Sequence, residues 1–233
     1  MKKKYKHLFF DIDNTLWDFD NNSKIVLGSI FDRFELHRRG VKTKNIFVNT
    51  YKKVNKNLWL KYRDGILSKE VLRYKRFLKT LETLNIKDKN LSERIGEFYV
   101  SHSPIQKKLM PGAKDVLFKL SLYYNLHIIT NGFKEVQFIK LKNSNIYNFF
   151  DNIVVSEDIG FLKPNQKIFS YALEICNAKK HESLMIGDDI ISDIQGARDF
   201  GIDQVFYNYK FLNQDFQATH VISNLVELES LLI

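Results

Sequence analysis

Two aspartates two residues apart, Asp11 and Asp13, follow the apolar run Leu8-Phe9-Phe10. At a strand end such a pair can divide the work of acyl-phosphate chemistry. One carboxylate attacks phosphorus and the other handles the proton of the departing oxygen. Taken alone the pair is equally well a turn cap. Ile128-Ile129 leads into Thr130-Asn131-Gly132 and then a helix. A hydroxyl, an amide and free backbone N–H groups at a helix N-terminus make an anion site, or an ordinary N-cap. Lys163 precedes Pro164, which disfavours helical backbone at the lysine and leaves it in an extended turn. A cation there would hold phosphate oxygens and offset the charge of Asp11, although most Lys-Pro pairs are simply surface turns.

The fourth segment runs Met185-Ile186-Gly187-Asp188-Asp189-Ile190-Ile191-Ser192-Asp193 and puts three carboxylates within six residues. With Asp11 and Asp13 they bring five acids toward one edge, which either raises carboxyl pKa values or binds a metal. Oxygen ligands without Cys or His favour a hard ion, with Mg²⁺ ahead of Ca²⁺ or Mn²⁺. The six histidines, at 7, 37, 102, 127, 181 and 220, form no metal-ligand spacing.

These segments converge only if the right elements carry them. Lys6 to Ile12 is a short apolar run suited to a buried strand. From about Asn21 to His102 the apolar residues recur at helical spacing (Ile25, Ile30, Phe34; Phe47, Tyr51, Val54, Leu58; Val71, Tyr74, Leu78, Leu81; Leu91, Ile95, Phe98), with turn signals at Arg39-Gly40 and Asp64-Gly65. This predicts roughly four helices. After Pro111-Gly112, helices over 113–123, 133–143, 166–177 and 190–200 alternate with strands over 126–129, 153–155, 183–186 and 204–207. A last strand is expected over 219–222, with a closing helix. Alternation of this kind predicts an α/β fold, a doubly wound parallel sheet whose carboxyl edge gathers the four polar segments. The expected organisation is a core of residues 1–16 plus 106–233, with an all-helical cap over 17–105 inserted after the first strand.

The bulk composition narrows the function classes. The 233 residues are 44% hydrophobic, with 10 Gly and 3 Pro, enough for a full core and too few for long disordered linkers. Asp11 and Asp13 interrupt the N-terminal apolar run after three residues, short of a signal-peptide h-region, and no stretch approaches the ~20 apolar residues of a membrane span. The single Cys176 excludes an internal disulfide, fits a reducing cytoplasm, and sits among Leu173, Ile175 and Ala178 as a buried helical residue would. Net charge is +9, and the basic residues gather in the middle: 21 Lys and Arg against 10 Asp and Glu between Leu16 and Lys108. Such a segment would draw an anionic substrate or nucleic acid, or simply reflect lysine-rich solvated helices.

The order of the motifs is more specific than any one of them. An apolar strand before Asp11-Ile12-Asp13-Asn14-Thr15, one before Thr130, Lys163-Pro164, then one before Gly187-Asp188 with Asp193 resembles the haloacid dehalogenase superfamily along the whole core. The resemblance implies an aspartyl-phosphate intermediate, with Asp11 as nucleophile and Mg²⁺ ligand. It implies Asp13 as general acid and base, with its backbone carbonyl on the metal. Thr130 and the Asn131 amide would bind the phosphoryl group, Lys163 would neutralise it and Asp188 would bind Mg²⁺. Asp193 would position the site, with Asp189 nearby. Dehalogenases of this superfamily lack the second aspartate, because a halide leaves without a proton, so Asp13 points to phosphoryl transfer.

Leu16-Trp17-Asp18-Phe19-Asp20, Thr130-Asn131-Gly132-Phe133 and Val155-Ser156-Glu157-Asp158-Ile159-Gly160 look like the bacterial pyrimidine 5′-nucleotidases that act on noncanonical nucleoside monophosphates. That likeness implies a nucleoside monophosphate as the small-molecule partner. Trp17, Trp59, Tyr62 and Tyr74 could stack on a base, although their helical spacing with other apolar residues favours core packing; Trp17 and Phe19, beside the nucleophile loop, are the first candidates for substrate contact. A cytoplasmic monomer or weak homodimer, without membrane or nucleic-acid partners, is expected. The alternatives are a sugar-phosphate phosphatase or mutase of the same superfamily and, remotely, a non-catalytic nucleic-acid-binding module. Phosphonate hydrolysis would need a cap lysine, for which Lys52, Lys53 and Lys56 qualify by position alone.

Overall fold

The computed structural model describes residues 4–213 and 217–233. The chain divides into two compact units, one of residues 1–19 plus 107–233 and the other of Asp20–Gln106. Trp17, Asp18 and Phe19 therefore belong with the loop that follows β1, three residues beyond the boundary at 17 expected from sequence.

The first unit is built on six parallel strands: β1 (His7–Phe10), β2 (Asn125–Thr130), β3 (Asn152–Val155), β4 (Ser183–Gly187), β5 (Asp203–Tyr207) and β6 (His220–Ile222). Their order is β3-β2-β1-β4-β5-β6, the doubly wound arrangement expected from the alternating elements. All four residues of β1 are buried because both faces of the sheet are covered. Leu8 and Phe10 pack into one core with Ile128, Ile186 and Val205. Phe9 points the other way, into a second core with Ile129, Met185, Ile168 and Phe169. An uninterrupted apolar run is what such a strand requires.

β1 is paired in register on both sides, Phe10 against Ile128 of β2 and against Ile186 of β4. The three strands are parallel and run to the same edge, β2 reaching two residues and β4 one residue beyond the end of β1. The chain turns outward in opposite directions from β1, so the crevice of an open α/β sheet falls between β1 and β4.

Between the strands lie α5 (Ala113–Ser121), α6 (Lys134–Asn143), the single turn α7 (Ser156–Ile159) and α8 (Gln166–Ile175). A wider π-type helical turn, Ile190–Gln195, leads into α9 (Gly196–Phe200), and α10 (Glu227–Leu232) closes the chain. Sequence spacing gave Ile190–Phe200 as one helix and left out α7, which is too short to show a period. Phe133, the N-cap of α6, gives it no side-chain cap. Glu157 of α7 supplies the acceptor instead, taking the Lys134 N–H at 2.6 Å, while Asp158 holds the Lys134 ammonium at 2.6 Å. Two acids thus sit at the positive end of α6. Cys176 caps the C-terminus of α8 and is half-buried, more exposed than the buried helical position expected of it.

The helical unit contains α1 (Phe19–Arg33), α2 (Lys44–Arg63), α3 (Lys69–Thr83) and α4 (Lys89–His102). Thr43, Ser68 and Asp88 cap the last three through bonds from Ile46, Val71 and Leu91 N–H. This unit has its own core of Val26, Leu27, Ile30, Phe47, Tyr51, Phe77, Leu81, Ile95 and Tyr99. In α3 the buried face runs through Leu72, Arg76, Phe77, Thr80 and Leu81, sharing only Leu81 with the Val71-Tyr74-Leu78-Leu81 stripe that apolar spacing indicated. Two polar residues on the inner face hid it. Arg76 lies over the Tyr99 ring, 4.9 Å from its centroid, and the Thr80 hydroxyl donates back to the Arg76 carbonyl. No helix among the described residues is long and apolar enough to cross a membrane.

Two histidines are buried side by side on neighbouring strands, His7 Nδ1 lying 3.0 Å from His127 Nε2. His127 is 1% exposed, and burial, helped by His7, pushes it down to about 4. Burial lowers His7 as well, against the pull of Glu182. The folded state therefore refuses a proton that the unfolded chain accepts near pH 6.5, and stability falls as pH drops from about 6.5 toward 4. At pH 5 the loss attributable to His127 is about 2 kcal/mol relative to pH 7.5. Urea unfolding at these two pH values checks this: His127→Gln should lose most of the difference, and an equal fall in both proteins would rule the pair out as its source.

Candidate active site

Asp11 follows β1 directly, its N–H bonded to the Ile186 carbonyl of β4 at 3.0 Å. The chain then folds into a tight loop in which the N–H groups of Thr15, Leu16 and Trp17 all point to the Ile12 carbonyl. Asn14 takes φ 65°, a left-handed conformation that asparagine tolerates better than most residues. This loop sets Asp11 in the buried floor and leaves Asp13 half-exposed.

Lys163 is the centre of the floor. It is 1% exposed, and its ammonium donates to Asp11 Oδ1 at 2.8 Å, to Asp193 Oδ1 at 2.6 Å and to the Ile129 carbonyl at 2.7 Å. Burial works against its charge, but Asp11 and Asp193 outweigh burial and hold it above the ordinary lysine value. Asn131 fixes the lysine backbone from both sides, accepting the Lys163 N–H at 2.8 Å and donating to its carbonyl at 2.9 Å. The Asn131 side chain thus holds Lys163 through one amide N–H and its carbonyl oxygen.

Thr130 ends β2, and its Oγ1 accepts from Gly132 N–H at 3.1 Å and from Gln137 Nε2 at 2.9 Å. With both lone pairs taken, the hydroxyl proton is what Thr130 has left to give an anion. Gly132 is required by this packing, since a Cβ there would lie 1.7 Å from Gln137 Nε2.

Asp188 and Asp193 come from the segment after β4. Asp193 Oδ1 takes Lys163, and its Oδ2 takes the Asp189 N–H at 3.1 Å. Gly187 makes room for this carboxylate, for a Cβ there would lie 2.2 Å from it. Asp189 is exposed and caps the helical turn, its Oδ1 accepting from Ile191 N–H, Ser192 N–H and the Ser192 hydroxyl. Asp188 Oδ1 accepts from Thr15 at 3.3 Å.

Oxygens of Asp11, Asp188 and Asp193 lie within 4.8 Å of one another. Burial and then the neighbouring carboxylates raise Asp188 well above the usual range. Burial raises Asp11, with Lys163 opposing, and raises Asp193 to about 7. Three acids against one lysine leave an excess of negative charge that a hard divalent cation fits. Because both Asp193 oxygens are engaged, Asp11 and Asp188 are the better placed to hold it.

Asp13 has partners that sequence reasoning missed. Lys140 Nζ reaches its two oxygens at 2.6 and 2.9 Å, and Gln137 Nε2 reaches Oδ2 at 2.9 Å. Both residues sit on the inner face of α6, three apart, where apolar side chains are the norm. That polar pair in an otherwise inward position was the available signal. The Lys140 ammonium also lies over the Trp17 ring, 4.5 Å from its centroid, and 5.7 Å from that of Phe19. Trp17 is fully buried and joins the core, so it packs under Lys140 and offers no open face for a substrate to stack on, contrary to its candidacy from sequence. Phe19 is half-buried against the same core.

A haloacid dehalogenase-like hydrolase family model matches residues 5–201. The chain is 34% identical over 232 residues to the pyrimidine 5′-nucleotidase YjjG of Escherichia coli, covering 98% of each. It is 31% identical to the pyrimidine 5′-nucleotidase PynA of Streptococcus pneumoniae, covering 92% of this chain and 88% of that one. A crystal structure of the putative hydrolase YfnB from Bacillus subtilis, described as bound to magnesium, superposes with a TM-score of 0.88 at 28% identity, covering 99% of both chains. The chain belongs to the haloacid dehalogenase-like hydrolases.

Proposed function

We propose that this hydrolase is a magnesium-dependent phosphomonoesterase acting through an aspartyl phosphate, and that its substrates are pyrimidine nucleoside 5′-monophosphates. The observation that carries the phosphatase reading is Asp13. It stands two residues beyond the nucleophile, half-exposed, and is held by two donors of its own. An alkoxide leaving group needs a proton at that place and a halide does not. The nucleotidase reading draws its support from the two pyrimidine 5′-nucleotidases that match this chain along most of its length.

In the first half of the reaction a carboxylate oxygen of Asp11 attacks phosphorus in line. The bond from phosphorus to the nucleoside oxygen breaks as Asp13 gives that oxygen a proton. In the second half Asp13 takes a proton from water, whose oxygen attacks phosphorus. The bond to Asp11 breaks, releasing inorganic phosphate. Thr130 donates its hydroxyl to the phosphoryl oxygens, joined by the Asn131 N–H. Lys163 keeps Asp11 ionised and aimed. A magnesium ion held by Asp11, Asp188 and the Asp13 carbonyl would supply positive charge to the phosphoryl oxygens. Asp193 fixes Lys163, and Asp189 caps the turn that carries Asp193.

A panel of about thirty phosphate monoesters assayed with Mg²⁺ tests the substrate. UMP, dUMP or dTMP is expected to lead, and Asp11→Asn should lower kcat by at least about 10³-fold. A sugar phosphate at the head of the panel would retain the mechanism and overturn the nucleotide assignment. No turnover of any ester by the folded, magnesium-loaded protein would overturn the phosphatase reading itself. Chelation of divalent ions should stop phosphate release and added Mg²⁺ should restore it; undiminished activity in EDTA would remove the metal from the reaction.

A further inference from the structure

We propose that Lys140 and Gln137 are positioning residues for the proton-transferring carboxylate, and that α6 is the element that aligns Asp13 with Thr130. This rests on the phosphatase reading above and adds to it a clamp outside the four motif segments. Lys140 is 4% exposed, and burying an ammonium is costly unless a charge answers it. The side chain that answers it is Asp13, whose two oxygens are both within 2.9 Å of Nζ. The Trp17 and Phe19 rings cover Lys140 with their negative faces, which lowers the cost of holding the cation there. A carboxylate held through both oxygens has one orientation in place of several.

Gln137 ties this pair to the phosphate-binding hydroxyl. Its single amide nitrogen donates to Asp13 Oδ2 and to Thr130 Oγ1, each at 2.9 Å. The Gln137 side chain is fully buried, with its own carbonyl oxygen unpartnered, so it is spent on this bridge at a cost in hydrogen bonding. Gly132 leaves the space the bridge occupies. One helical turn therefore fixes the two groups that must face opposite ends of the breaking bond, the hydroxyl at phosphorus and the carboxylate at the leaving oxygen. The anchoring of α6 by Glu157 and Asp158 at its first residue holds that turn in place. Lys140 touches Asp13 and acts through it.

A residue that acts by aligning a proton donor matters when the leaving oxygen is strongly basic and hardly at all when it leaves as a stable anion. The test is single-turnover release of the leaving group from a nucleoside 5′-monophosphate and from p-nitrophenyl phosphate, with melting temperatures recorded for every variant. Lys140→Met is expected to slow release from the nucleotide by about 30- to 100-fold and from the aryl ester by less than about 5-fold. In an Asp13→Asn background the same substitution should add less than about 2-fold, because the group it aligns is gone. Gln137→Met keeps the lysine and should show the same dependence on the leaving group at about 10-fold, so the idea stands or falls on that variant if Lys140→Met does not fold. Equal losses on both esters, or full additivity with Asp13→Asn, would overturn the proposal and make Lys140 a direct substrate ligand or a purely structural residue. Failure of the wild type on both esters would instead strike the phosphatase reading on which it rests.

Discussion

The site depends on one buried cation. Taking a lysine ammonium out of water costs several kcal/mol, and here it is recovered only because three acceptors from three separate segments surround it. Asp11 comes from the end of β1, the Ile129 carbonyl from β2, and Asp193 from the turn after β4. None of these contacts is local in sequence, so Lys163 can be satisfied only when the central strands are in register. Burial raises the Asp11 carboxyl above its ordinary range, and the ammonium at 2.8 Å opposes that rise.

The sheet makes this possible by a simple device. β1 is short, buried on both faces, and pairs with β2 and β4 at the same level. Each neighbouring strand then delivers one polar residue to the common edge as its apolar stretch runs out: Asp11 after Phe10, Thr130 after Ile129, Asp188 after Gly187. The glycines lie where side chains must approach closest. Gly132 admits Gln137 and Gly187 admits the Asp193 carboxylate, so both are there for want of space more than for backbone freedom.

Much of this could be read from the sequence because apolar runs ending in polar residues report both the strand and its functional end. Five of the six strands fall within about two residues of where periodicity placed them, and the first is the core of its longer apolar run. The misreadings share a cause. Gln137 and Lys140 on α6, and Arg76 and Thr80 on α3, are polar residues facing inward, and a reading based on apolar spacing treats such positions as solvent-facing. Trp17 failed in the opposite sense. Its nearness to Asp11 in sequence suggested a substrate contact, whereas the tight loop back to the Ile12 carbonyl turns the ring into the core beneath Lys140. The wide turn at Ile190–Gln195 escaped notice because it runs directly into α9, so that the two read as one helix over 190–200.

Two aspartates two residues apart thus stand in different surroundings, because two buried lysines hold them differently. The Asp11 carboxylate takes Lys163, whose ammonium is shared with Asp193 and a carbonyl, together with the Ile12 N–H. Asp13 receives Lys140 through both oxygens and Gln137 besides, yet it stands half-exposed at the loop. A carboxylate that must attack gains from being desolvated and fixed in place. One that must pass a proton to and from water gains from partial exposure and a fixed direction. The alternation of the chain at the end of β1 would make the two residues near equivalents. Lysines from two different segments divide them, Lys163 holding Asp11 and Lys140 of α6 holding Asp13, so the asymmetry of the Asp-x-Asp pair is a tertiary property, absent from the three residues that spell it.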